Sequence, residues 1–350
     1  MKLAKTEAAS GNTAEATRLL LDAIEHGFYD FNTLSYGESL SPLRGTPEWP
    51  KIVSAFDEKH SWARSLRLLF DGSKDAWDRY SPAHAYLQTR PTIPREVIRT
   101  YRQLYATSAT FVGEYEEASR YYGSVGAANL PLDSGHATAI SAIEPIVEAS
   151  KGAKAVFLNE SHGRSNTRAA NLLLVAELAK HGFTHLALEA LAVEKSLTEC
   201  GTVVASDVDL GSRGYPLKTS GAYLNDPIFA ELVRVAISSG LKVVGYDYQF
   251  DNPTIEEREE AQAENLSCLL RADSEARLIV IGGFAHISER EDFHIPGGMM
   301  GARFKRISGI DPVTVDSTQL LTLDETRIKY RLPDQRAGAP LLLLNPEGVP

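Results

Sequence analysis

Hydrophobic positions follow two different rhythms along the 350 residues. Up to about residue 128 they recur every three or four positions, the period of a helix with one buried face. Asn12-Thr-Ala-Glu opens such a helix with a capping residue, Leu19, Leu20 and Ile24 mark its apolar side, and Gly27 stops it. Phe111 to Gly123 predicts a later helical-hairpin element, and Pro42, Pro47, Pro50, Pro91 and Pro94 punctuate the helices between. The Gly/Pro/Ser-rich stretch 124–135 follows, and a helix through Ile140, Ile143 and Val147 comes after it.

Beyond that helix the pattern becomes short apolar runs alternating with amphipathic segments. The runs are Ala155–Leu158, Thr184–Leu188, Lys242–Tyr246 and Arg277–Ile281, with further strands at Val313–Val315 and Leu341–Leu344. Between them, helices are expected from Asn166 to Lys180, after Asp226-Pro227, from the capping box Thr254-Ile-Glu-Glu257, and after Gly297-Gly-Met-Met-Gly301. On the first of these, Leu172, Val175, Leu178 and Ala179 face inward; on the second, Phe229, Leu232, Val233 and Ala236. Strands alternating with helices give an α/β fold with a mostly parallel sheet flanked by helices. The expected organisation is therefore an all-helical region at 1–128 and an α/β domain at 129–350. The segment 196–225 has no period of its own, which marks it as a binding loop.

Composition narrows the function classes. The net charge of −10 argues against nucleic acid or an anionic membrane as the main partner, and no run approaches the ~20 apolar residues of a membrane span. Residues 1–14 are polar and alanine-rich, unlike a signal region, so the default compartment is the cytoplasm; removal of a signal peptide would make it periplasmic or secreted. Cys200 and Cys268 are too few for a disulfide framework and are read as structural. Composition and charge leave the oligomeric state open.

The candidate chemistry sits where the strands end. In an open parallel sheet ligands bind beyond the carboxyl ends of the strands. Here those ends carry Glu160 with His162, Glu189, Asp247 after Tyr246, and His286 after Gly282-Gly-Phe-Ala. Glu160 and His162, two apart in an extended segment, point the same way. A carboxylate next to an imidazole holds its tautomer and leaves a base near neutral pH. Arg168 lies in the first turn of its helix, against the helix dipole, which hints that it faces the site. Ser161 lacks a Gly-x-Ser-x-Gly setting, because Asn159 stands at the first position, so serine-nucleophile chemistry is not expected. His181 and His185 fall at the opposite strand ends and are read as structural. Two histidines and two carboxylates could also bind a divalent metal, although no His-Glu-x-x-His is present.

Three segments, Leu158-Asn-Glu-Ser-His-Gly163, Leu186-Ala-Leu-Glu-Ala190 and Gly282-Gly-Phe-Ala-His286, resemble the signature segments of the erythromycin esterase-like superfamily. That superfamily includes the haem-binding ChaN-like and TIKI/TraB metalloprotease-like proteins. The Glu-x-His spacing is closer to the ChaN-like pattern, and Asn159 stands where the family commonly has glycine. The resemblance covers roughly 130 to 350. The esterase branch implies a hydrolase in which His162 activates water, Glu160 and Glu189 orient it or share protons, and His286 assists at the substrate oxygen. Arg168 and Arg258 resemble arginines of the family's active-site region; with Asp247 and Tyr246 they are the expected substrate-binding residues. The substrate would be a small molecule or peptide with an ester, lactone or amide bond, and no cofactor would be needed. The other branches imply a haem-binding protein, with no haem ligand carried over to this sequence, or a divalent metal held by Glu160, His162, Glu189 and His286 in a metal-binding protein or metal-dependent peptidase. In the N-terminal region, Gly-Asn-Thr-Ala-Glu-Ala and Gly-Glu-Tyr-Glu-Glu-Ala resemble tetratricopeptide repeat starts, without a period of about 34 residues joining them.

Overall fold

The computed structural model describes residues 1–122, 142–195, 203–317 and 341–342. The chain divides into two compact units, Met1–Ser108 and Ala109–Pro350. The connection expected at 124–135 lies outside the described residues, as does Cys200, whereas Cys268 is buried.

The first unit is helical. It comprises α1 (Lys2–Ala9), α2 (Thr13–Glu25), α3 (Phe31–Tyr36), α4 (Ser41–Arg44), α5 (Trp49–Lys59), α6 (Ser61–Phe70), α7 (Ala76–Gln88) and most of α8 (Arg95–Phe111). Leu20 and Ile24 of α2 are buried as the spacing requires, and Gly27 ends the helix at φ +91°. Asn12 occupies the N-cap, but its side chain bonds Glu7 Oε2 at 2.8 Å instead of the helix backbone. A core of Phe31, Phe56, Trp62 and Leu66 fills the space between helices.

In the second unit α8 turns at Gly113 (φ +81°) into α9 (Tyr115–Tyr122). Next come α10 (Ile143–Ala149), β1 (Ala155–Glu160), α11 (Ser165–Lys180) and β2 (His185–Leu188). The hairpin strands β3 (Val193–Lys195) and β4 (Val203–Ala205) precede α12 (Leu210–Arg213), α13 (Pro227–Ser238) and β5 (Lys242–Gly245). The unit continues with α14 (Ile255–Ala272), β6 (Leu278–Gly283), α15 (Met300–Ser308), β7 (Val313–Asp316) and β8 (Leu341–Leu342). The main sheet runs β5-β2-β6-β1-β7-β8 and every pairing in it is parallel. Alternation along the strands divides the core into two layers. Val156, Leu158, Leu186, Leu188, Ile279 and Ile281 pack against α11 and α13, while Ala155, Phe157, Ala187, Leu278 and Val280 pack against α14 and α15. This is the expected α/β fold, with helices on both faces.

β1 and β6 each run two residues further than the apolar runs suggest. Asn159 pairs with Gly282 and Glu160 with Gly283, so the sheet ends in a carboxylate opposite a glycine. At the other edge Arg277 donates to the carbonyls of Ser150, Ala153 and His181, tying down the ends of α10 and α11. His185 is buried there, beside Thr184, in keeping with a structural role. Among the described residues no helix is long and apolar enough to cross a membrane.

Candidate functional site

Strand alternation sends the two site glutamates to opposite faces of the sheet. Glu160 continues the Val156/Leu158 side and meets α11, whereas Glu189, one residue past Leu188, turns to the α14 side. Each then receives an arginine from the helix covering its own face. Arg168 Nε of α11 donates to Glu160 Oε2 at 2.9 Å, and Arg258 Nη2 of α14 donates to Glu189 Oε1 at 2.7 Å.

Around Glu160 the first arm assembles. His162 Nδ1 is hydrogen-bonded to Glu160 Oε1. Arg168, fully buried, also donates from Nη1 to Asp226 Oδ2 at 2.8 Å. Asp226 in turn caps α13 by accepting from Ile228 and Phe229 N–H, so one carboxylate fixes both the helix start and the arginine. Burial opposes the Glu160 charge, but Arg168 and His162 outweigh it and hold its carboxyl below the usual range. The His162 ring stacks on Tyr223, with centroids 4.1 Å apart and planes 14° from parallel. Gly163 lets the Tyr122 ring approach, since a Cβ there would lie 2.2 Å from it.

The second arm forms around Glu189. His286 Nε2 lies 3.1 Å from Glu189 Oε1 and its Nδ1 lies 2.7 Å from Glu259 Oε1. Gly283 N–H donates to Glu189 Oε2, and Glu259 Oε2 accepts from Met300 N–H at the start of α15. Burial works against the Glu189 charge, yet His286, His162 and Arg258 hold the carboxyl well below its ordinary range. Burial would also strip the proton from His286; the two flanking carboxylates overcome this and push its pKa up to about 10. With the folded value above the ordinary 6.5, this contribution to stability is complete below pH 6.5 and is lost as pH rises through about 10. The melting temperature of the wild type should therefore fall between pH 7 and 10 more steeply than that of His286→Phe. Equal slopes in thermal melts of the two proteins would contradict the assignment.

The four catalytic candidates thus converge at one sheet edge, in two arms. The glycines of β6 serve the site's own side chains: a Cβ on Gly283 would sit 3.2 Å from both His162 Nε2 and Glu189 Oε2. Other expectations need correction. Both ring nitrogens of His286 face carboxylates, so it is an internal cation and has no nitrogen left to assist at a substrate oxygen. Arg168 and Tyr246 are fully buried and support the site from behind, without touching substrate; Tyr246 donates its hydroxyl to the Ile281 carbonyl. Asp247 is buried as well, its oxygens taken by Tyr248 N–H, Gln249, Gln262 and Arg258. Of the four expected substrate contacts, Arg258 retains an exposed part, a quarter of its side chain.

Sequence reasoning missed Glu259, Tyr223 and Tyr122, and read Asp226 as a cap only. Glu259 hides in the run Glu256-Glu-Arg-Glu-Glu260, which looks like a solvated face. Its spacing, four before Ala263 and seven before Leu266, is the signal that it lies on the buried side.

Among the described residues no group of three or more His, Cys, Asp or Glu side chains is arranged to hold a metal ion. The donor set explains why. Glu160 and Glu189 already accept from guanidinium groups, and a divalent cation would have to share those oxygens with Arg168 and Arg258. A divalent cation at this donor set would therefore compete with two guanidinium groups. Comparison of the chain with protein-family models, curated proteins and solved structures finds no match.

Proposed function

We propose that this chain is a hydrolase that cleaves an ester, lactone or amide bond with water activated by His162. The observation that carries this reading is the hydrogen bond between His162 Nδ1 and Glu160 Oε1. Glu160, kept ionised by Arg168, can only accept, so Nδ1 carries the hydrogen and Nε2 keeps its lone pair. Over a quarter of the His162 side chain is exposed, so Nε2 is open to a water molecule. That nitrogen and Glu189 Oε2 both lie beside Gly283, each 3.2 Å from where a Cβ on it would sit. A water bound to both can give one proton to His162 while Glu189 accepts its other hydrogen and fixes its orientation. Glu189 also stabilises the imidazolium that results, which returns its proton to the leaving group. The order of the three signature-like segments along the chain supports a member of the erythromycin esterase-like superfamily.

The test is hydrolysis of a panel of esters, lactones and peptides by wild type and His162→Ala, each with and without a chelator. Loss of about a hundredfold or more in the variant, with no effect of chelation, is the expected result. Loss of wild-type activity on chelation would favour a metal-dependent hydrolase instead. Turnover unchanged in His162→Ala, or absent from wild type, would overturn the reading.

A further inference from the structure

We propose that Tyr223 is a further catalytic residue, its hydroxyl donating a hydrogen bond to the substrate oxygen that becomes negative during attack. The inference rests on the hydrolase reading and names a donor which that reading lacks.

Several features fix Tyr223 in place. Gly221 bridges to Leu191, and a Cβ on Gly221 would lie only 2.0 Å from the Ala190 carbonyl oxygen, so the loop can lie this close only with glycine there. Ala222 N–H donates to Ala190 O at 3.0 Å and Ala192 N–H to Ser220 O at 2.8 Å, which fastens the loop just before Tyr223. Asp226 N–H then holds the Tyr223 carbonyl at 3.1 Å. The ring is clamped by the His162 stack and by the Arg168 guanidinium 5.6 Å from its centroid.

Two other donors near His162 are committed: Tyr246 bonds a strand carbonyl, and His286 is held between two carboxylates. The Tyr223 hydroxyl has no hydrogen-bond partner among the described residues. Arg258 reaches Glu189 through Oε1, not through the Oε2 that lies with His162 Nε2 beside Gly283. Burial, with Glu160 and Glu189 nearby, holds the phenol far above its ordinary range, so it stays a donor at working pH.

The step balances. Water loses a proton to His162 Nε2 and its oxygen bonds the carbonyl carbon. The C=O π electrons move to oxygen, which accepts the Tyr223 hydrogen bond while the proton stays on the phenol. Collapse restores C=O and breaks the bond to the leaving group, which takes the proton from His162.

The experiment compares wild type, His162→Ala, Tyr223→Phe and Tyr223→Ala on 4-nitrophenyl acetate and ethyl acetate, with thermal melts alongside. Tyr223→Phe keeps the stack and should lose about a hundredfold in kcat on both esters, with KM and melting little changed. Tyr223→Ala should lose more, because it also frees the His162 ring. A Phe variant within threefold of wild type would overturn the proposal, leaving the ring as support only. Loss confined to ethyl acetate would overturn it too, making the hydroxyl a leaving-group acid. If wild type is active and His162→Ala inactive, those outcomes leave the hydrolase reading standing; a wild type that hydrolyses neither these esters nor any lactone or peptide of the panel overturns both readings.

Discussion

Glu160→Gln should lower kcat by about a thousandfold or more while the protein stays folded. The carboxylate can only accept from His162 Nδ1, which forces the free lone pair onto Nε2. An amide has the same shape but offers two donor hydrogens. With its oxygen still accepting from Arg168 Nε, its NH2 group faces His162 and turns Nδ1 into an acceptor. The hydrogen then moves to Nε2, and the base is lost in the tautomer that persists. Stability suffers less, because Arg168 keeps Asp226 and one neutral acceptor. Steady-state kinetics with chemical denaturation on the same preparation checks both halves. Activity within tenfold of wild type would mean that Glu160 does not set the tautomer.

Arg168→Ala acts on the fold instead. The guanidinium is fully buried and is the cation between Glu160 and Asp226, themselves buried. Its removal leaves carboxylates in the interior without their charge partner, a change that costs about 3–5 kcal/mol for a broken buried pair. Against a total stability of roughly 5–15 kcal/mol for a domain of ordinary size, that removes a large fraction of the margin. Lysine should not rescue it, because a single ammonium cannot reproduce the forked geometry that serves two carboxylates at once. Urea denaturation gives the number, and a loss below about 1 kcal/mol would show that the network tolerates the missing charge.

The strand ends are legible from sequence because a parallel sheet brings distant chain positions to one edge whatever their separation. Glu160, His162, Glu189 and His286 meet there for that reason. The arrangement among them is not legible, since it depends on which face each side chain takes and on what covers that face. Arg168 shows both sides: its clash with the helix dipole marks it as unusual, yet two buried carboxylates, not a substrate, resolve the clash. His286 follows the same logic, as nothing local to Gly282-Gly-Phe-Ala-His286 announces Glu259 on a different element. Strand limits slipped by two residues at β1 and β6 because the polar Asn159 and Glu160 end the apolar run, while the paired glycines let the ladder continue. Tyr223 was out of reach, because its place over His162 is set by how Gly221 docks on Ala190, a long-range contact with no period in the sequence.

The central claim is that His162 carries its hydrogen on Nδ1 and presents a basic Nε2. Nitrogen-15 NMR of the imidazole in the folded wild type, above the pH at which the ring deprotonates, reads this directly. A protonated Nδ1 and an unprotonated Nε2 are expected, reversed in Glu160→Gln. A wild-type ring with the hydrogen on Nε2 would contradict it.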